Sequence, residues 1–541
     1  MTPRRPTNRA SVIDPTGARS DEAKLLSGVS LNSDGKAKEA NDIWKSVADN
    51  GSPRMADQAR YKLAQAASRK KDFASAVDLY GKIVASKADP ALIPYALYGQ
   101  GWSLMQDNQH KNAVAPLDRV LKEFKQHPVG DDALLARGIS LRHLNRLDDS
   151  AKDLAEFLEL DPKGINLGHA LYELALIDQK QDRHSKAAKR LQNIVDEVPK
   201  YPSMEKVLYE LGWSQRESGD DKGAEKTFAE LVKRYPEADV SGEAAYVVGQ
   251  TNYSAGDWKE AAKQFLVATK NTQDKALSEK AHYRLGWSYF KSQDYSKAQR
   301  AFQAQADKHG EGKLALDAMM MVGECKFEQE DYRGALASYE VARRRIRQNN
   351  DTSQTVRDAA EQQVRELILL HGGQSASQQR QWDNAIAWYE ELKTRFPSTD
   401  YLPQLFYETG YAHQQKNENE KALKYYSEIA NKYRSEIAAR SRFMMGEIYF
   451  AQKQYDKAIP EFQRVMFGFN AQNAPNAIKN WQAKSGFEAG RCSEQLMQIA
   501  KSDNNRNKAR QFAGDFFKYV IDKHPDHELA KKSKDRLNQL K

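Results

Sequence analysis

The feature that most constrains this chain is a spacing. Small residues recur at Gly28, Ala64, Gly101, Gly138, Ala175, Gly212, Gly249, Gly286, Gly323, Gly373, Gly410 and Gly446, at intervals of 36, then 37 seven times, then 50, 37 and 36. Twelve residues beyond every one of these anchors stands an alanine, from Ala40 to Ala458, with Ser150 in the fourth copy. Sixteen beyond stands a bulky residue: Trp44, Tyr80, Leu117, Leu154, Leu191, Phe228, Phe265, Phe302, Tyr339, Tyr389, Tyr426 or Phe462. A chain written as twelve copies of one unit does not fold around a single core. It grows by stacking, each copy burying its apolar face on its neighbours.

The unit is a helix, a tight turn and a second helix. Polar turn residues follow the anchor by seven or eight positions, as in Gly219-Asp220, Gly256-Asp257, Gln293-Asp294 and Glu330-Asp331. Proline closes several second helices, at Asp161-Pro162, Tyr235-Pro236 and Phe396-Pro397. Antiparallel helices approach closely only where small side chains meet. The anchor and its +12 partner supply that contact, and the +16 residue fills the space toward the neighbouring helix.

This pattern resembles the tetratricopeptide repeat (TPR) over roughly residues 21–470, although the period of 36–37 exceeds the usual length of about 34 residues. The resemblance implies an all-α, right-handed superhelical solenoid of helix-turn-helix repeats. Copies such as Phe228–Pro236 and Tyr389–Pro397 further resemble the TPR variant of bacterial Tol-Pal-associated and outer-membrane-assembly proteins. That implies a role in organising or assembling the cell envelope.

In a TPR the positions three before and one after the anchor face a concave groove. Here they hold Tyr98 and Trp102, Tyr209 and Trp213, Tyr246, Tyr283 and Trp287, and Tyr407 and Tyr411. The resemblance makes these residues an aromatic track for a partner protein or peptide; aromatics supply contact area at small ordering cost. The same tyrosines also serve as ordinary packing between repeats. The lysine and asparagine with which chaperone-binding TPR domains clamp a peptide carboxylate are absent from these two positions.

The array is expected to divide into a basic, disordered arm (1–20), an N-terminal array of about nine repeats (21–348), a C-terminal array of three repeats (349–470), and a degenerate repeat with a capping helix (471–541). The 50-residue interval carries 13 extra residues around Arg343–Thr355 and reads as a hinge, with a long helix over Val356–Leu370 after it. Arg343, Arg344, Arg345 and Arg347 read as a solvated helix end.

Composition narrows the function. A net charge of +9, from 83 basic and 74 acidic residues, is interspersed rather than blocked. A regulatory subunit holding RNA or an acidic nucleoprotein is the alternative reading, but acidic residues share the aromatic helices and disfavour nucleic acid. Two cysteines, Cys325 and Cys492, build no disulfide framework or metal site. No nucleotide loop, metalloprotease helix, nucleophile elbow or calcium loop occurs, and His524 and His527 read as exposed residues. No enzyme, cofactor, metal or small-molecule substrate is therefore expected. The N-terminus shows no apolar signal segment, and no run is long enough to span a membrane. The sequence thus reads as cytoplasmic by default, and as periplasmic on the envelope resemblance if residues are missing before Met1.

Overall fold

The computed structural model describes residues 18–470 and 473–540; the expected arm lies almost wholly outside them. These residues form 27 α-helices, one short 3-10 helix at Pro90–Leu92, and no strand. The helices alternate as first (A) and second (B) members of successive hairpins. Met204–Glu217 and Asp221–Arg234 are a representative pair. The fold is the expected all-α repeat solenoid.

The turns show why the chain reverses where it does. Asp220, Asp257, Asp294 and Asp331 cap their B helices, each side chain accepting a backbone N–H three residues on, which satisfies an otherwise orphaned donor. The residue before each cap is left-handed: Gly219 (φ 88°), Gly256 (82°), Gln293 (62°) and Glu330 (60°). Position +7 from the anchor has positive φ in all twelve copies, yet glycine occupies it only at Gly35, Gly219 and Gly256.

The anchors earn their place through the +16 residue. A Cβ on Gly212 would lie 2.6 Å from the Phe228 ring, on Gly323 2.5 Å from Tyr339, and on Gly410 2.9 Å from Tyr426. The glycine is thus a hollow that receives the +16 side chain, a closer relation than the helix contact read from sequence. The +12 residue closes the same spot: Ser150 Oγ donates to the Gly138 carbonyl at 2.6 Å. The degenerate thirteenth hairpin, Asn476–Ile499 and Asp503–Lys523, keeps this device, with Phe517 2.4 Å from a Cβ on Gly490. Longer helices stretch the spacing there, so the pattern disappears from the sequence.

The insertion is tied down. The helix expected over Val356–Leu370 runs from Ala359 to Gln378, and Val356 is buried ahead of it. Ser353 N–H donates to the Arg395 carbonyl at 3.0 Å, Arg395 donates to the Asp351 carbonyl at 3.1 Å, and Arg365 pairs with Asp351 at 2.7 Å. The arginine cluster is a solvated end only in part: Arg344 and Arg347 are exposed and Arg345 is half-buried, but Arg343 is buried. The Arg343 side chain is 7% exposed, lies 3.9 Å from the Trp388 ring centroid and meets Glu391 at 2.6 Å. Arg347 and Arg395 share that carboxylate. Against its burial, bonds from Arg347 and Arg343 hold Glu391 at about 2. Two compact units are seen: one ends at Val248 and the other begins at Gly249, a division within the helix Ser241–Ser254.

Candidate partner-binding face

In the first unit, Tyr209 and Trp213 stand one turn apart on an A helix, as i,i+4 geometry requires. Their rings meet edge to face at 6.3 Å and 74°. Tyr209 donates its hydroxyl to Glu243 Oε2 at 2.5 Å, which ties it to the next A helix. Trp213 packs edge-on against Phe228, the +16 residue that fills its own anchor, at 5.5 Å, and carries the Arg216 guanidinium 5.4 Å from its centroid. The indole Nε1 is buried without an acceptor. Tyr98 and Trp102 take the same positions; Trp102 meets Phe73 edge-on at 6.1 Å. Burial, and secondarily the Asp132 carboxylate, push the Tyr98 hydroxyl far up. Tyr246 is partly buried on the following A helix.

The second unit repeats this geometry at Tyr283 and Trp287, with rings 6.3 Å apart at 74°. The Tyr283 hydroxyl donates to Asp317, and Trp287 packs on Phe302 at 6.0 Å. Six residues before the following anchor there is therefore an acid in each Tyr–Trp repeat: Asp132, Glu243 and Asp317. Burial pushes up the carboxyls of Asp132 and Asp317.

Tyr407 departs from the expectation of a groove-facing ring. It is 3% exposed, packed 5.7 Å from Tyr426, with its hydroxyl pushed up to about 12, chiefly by burial. It offers a partner almost no surface and is a core residue. Its companion Tyr411 stays partly exposed against Trp382 at 6.0 Å. Residues that sequence reasoning missed surround this pair. Arg440, at the −6 position where the Tyr–Trp repeats keep an acid, lies 4.3 Å from the Tyr407 centroid and 5.6 Å from Trp481. Aligning the −6 positions would have exposed the change of sign.

Other chemistry is sparse. Among the described residues no group of three or more His, Cys, Asp and Glu could hold a metal, and no helix is long and apolar enough to cross a membrane. Cys325 and Cys492 are buried, unpaired thiols, and burial pushes Cys325 up to about 12. His527 is partly buried, with Nε2 2.9 Å from Asn480 Oδ1, rather than exposed.

Stacked helix-turn-helix hairpins define a helical-repeat protein. Tetratricopeptide repeat profiles match residues 98–165, 283–350 and 407–477, and a second profile of that description matches 169–201 and 206–238. These segments span just over half of the chain, which belongs to the tetratricopeptide repeat family. No curated protein matches it. Among solved structures, it is similar to the C-terminal part of a TPR repeat-containing protein from Cytophaga hutchinsonii (14% identity, 49% of this chain and 96% of that one, TM-score 0.33). It is also similar to YrrB, described as a TPR protein with an unusual peptide-binding site (19%, 37% and 96%, 0.29). A third is the APC/C hetero-tetramer Cut9-Hcn1 (13%, 98% and 98%, 0.30).

Proposed function

We propose that this protein is a non-catalytic scaffold that holds partner proteins or peptides against the A-helix faces of its repeats. TPR proteins serve in general as protein-interaction scaffolds. The observation that carries the reading here is the pairing of tryptophan with a tethering acid. Each repeat with Trp at +1 also sets a carboxylate against the Tyr at −3, as in Tyr209–Glu243 and Tyr283–Asp317. Packing alone does not require both. Together they fix two aromatic rings before a partner arrives, which lowers the ordering cost of binding. The same acids weigh against RNA, because a phosphate backbone would meet the carboxylates of Asp132 and Glu243 beside the aromatic pairs of the first unit. The envelope setting remains the narrower part of this proposal, supported by the resemblance of Phe228–Pro236 and Tyr389–Pro397 alone.

The test is capture of partners by the full chain against a Trp213→Ala/Trp287→Ala variant and a control, Val341→Ala, on an exposed B-helix position. A partner retained by wild type and control, lost by the double variant, and weakened only modestly by salt supports the scaffold. Equal retention by all three removes the aromatic face from the proposal. A steep fall with salt favours nucleic acid.

A further inference from the structure

The thirteenth hairpin ends in a tip that is both apolar and cationic. Helix Asn476–Ile499 runs nine residues past its anchor Gly490, against five past Gly446 in the hairpin it stacks on. Helix Asp503–Lys523 opens fourteen residues before Phe517, against seven before Phe462 in that hairpin. At a rise of about 1.5 Å per residue the tip therefore reaches roughly 6–10 Å beyond the preceding turn. Two large apolar side chains stand open there, Ile499 at 62% and Phe512 at 55% exposure. Cations flank them. Lys501, Lys508 and Arg510 are exposed, and among the described residues no carboxylate pairs with any of them within 4.0 Å. Lys508 sits one turn before Phe512, so the two side chains are neighbours on the helix surface. Arg506 pairs with Asp503 at 2.8 Å, and no further acid occurs before Asp515. The tip belongs to a basic end of the chain: residues 476–541 hold 14 basic and eight acidic residues, and so carry +6 of the net +9.

We propose that this hairpin tip docks the protein on an anionic lipid surface without spanning it. The inference goes beyond the scaffold reading and does not rest on it. Apolar side chains gain by entering the boundary between headgroups and acyl chains, while cations beside them stay with the lipid phosphates. Each lysine or arginine near an anionic leaflet contributes roughly fivefold in partitioning. The long stems of Lys501, Lys508 and Arg510 let their charges remain at headgroup level while Ile499 and Phe512 insert. A nucleic acid would use the cations and stack on Phe512, but Ile499 has no ring face to offer a base. An acidic protein surface would likewise meet the charges and leave the isoleucine in water. A bilayer interface uses both halves of the tip.

The experiment is flotation of the full chain with vesicles of phosphatidylcholine alone and of phosphatidylcholine mixed with phosphatidylglycerol. Binding to the anionic vesicles is tighter by about tenfold or more and weakens as salt is added. Lys501→Gln/Lys508→Gln/Arg510→Gln removes that preference. Lys152→Gln/Lys226→Gln/Lys233→Gln, at exposed sites of the first unit, lowers the net charge equally and keeps it. Ile499→Ser/Phe512→Ser weakens binding roughly tenfold, whereas Leu160→Ser, at another exposed apolar site, does not. A second readout serves if the double serine variant folds poorly by circular dichroism. Ile499→Cys is labelled with an environment-sensitive fluorophore, the two native thiols being buried; its emission brightens and shifts to the blue on anionic vesicles, and that of labelled Leu160→Cys does not. Equal binding to the two kinds of vesicle, equal losses in the two triple variants, an undiminished double serine variant of native fold, or an unshifted probe at position 499 would overturn the proposal. RNA binding tighter than vesicle binding and indifferent to Ile499→Ser/Phe512→Ser would overturn it too, and would make the tip a nucleic-acid contact.

Discussion

Tyr209–Trp213 and Tyr407–Tyr411 occupy the same repeat positions on A helices, yet they have become different things. At the first, an acid on the following helix takes the tyrosine hydroxyl at 2.5 Å, so the ring stays at the surface and the tryptophan stands beside it. At the second, the following helix brings Arg440 over the ring face 4.3 Å away, and Tyr407 sinks to 3% exposure. The residue six before the next anchor differs in sign between the two, but Tyr172 and Tyr246, with Lys206 and Lys280 at that position, stay half-buried. Packing on Tyr426 is therefore what buries Tyr407. The scaffold beneath is the same in both. A TPR position is thus a place in a frame, and its surroundings differ from copy to copy.

The first way to break this comparison is to attack the common frame. Gly212→Val and Gly410→Val each force a branched side chain into the hollow held by Phe228 or Tyr426, where a Cβ alone would sit 2.6 Å or 2.9 Å from the ring. Both should destabilise their hairpins by about 3 kcal/mol, read as loss of hydrogen-exchange protection in the two helices involved. A large loss at one and none at the other would show that the two repeats do not share a frame.

The next largest effect separates core from surface. Tyr407→Ala should cost about 3 kcal/mol of local stability, because it empties a buried ring site. Trp213→Ala should cost about 1 kcal/mol of stability but about 2 kcal/mol of partner affinity, or roughly thirtyfold. Chemical denaturation and partner titration on the same variants check this. If Trp213→Ala proved as destabilising as Tyr407→Ala, the indole would be core as well, and its contact with Phe228 would be its whole role.

A smaller change tests the tether. Glu243→Gln removes the charge that Tyr209 donates to, and should loosen that tie by about 1 kcal/mol. The mobility of the Tyr209 ring, followed by aromatic nuclear magnetic resonance, should rise with it. Tyr407 should not respond to Arg440→Gln in that way, since packing on Tyr426 holds it in place.

The frame was legible because it is local and periodic: anchor, +12 and +16 positions lie within one hairpin, so a fixed spacing records a fixed contact. Two kinds of feature were illegible for the same reason. Contacts between repeats, such as Tyr283 with Asp317 or Arg343 with Glu391, link residues at separations that no single hairpin encodes. Backbone shape hid as well, because Gln293 and Glu330 adopt left-handed turns that only glycine would have announced. The site was therefore half visible. Its aromatic positions could be named, but how far each ring is exposed depended on packing that the spacing does not record, as the burial of Tyr407 against Tyr426 shows.

The smallest expected effect is a difference in pH response that carries the comparison to two further places, one in each unit. In the first, His143 stacks on His110 at 4.0 Å, and burial, with Arg142 next, lowers it from 6.5 to about 4. The unfolded chain takes up the proton first, so this contribution to stability is whole above about pH 6.5 and is lost as pH falls toward 4. In the second, burial and then Glu488 raise Glu447 from 4.5 to about 7, and its Oε1 is buried without a partner. Here the folded chain holds the proton more tightly, so stability is greatest below about pH 4.5 and is lost as pH rises through 7. Hydrogen exchange at about pH 5 and about pH 8, corrected for intrinsic rates, should therefore move in opposite directions in the helices Val129–His143 and Glu436–Ala451. His143→Gln should flatten the first response, and Glu447→Gln should flatten the second while leaving the first unchanged. Parallel responses in the two helices would mean that a charge change common to the whole chain dominates, and that these buried groups do not set the local pH dependence.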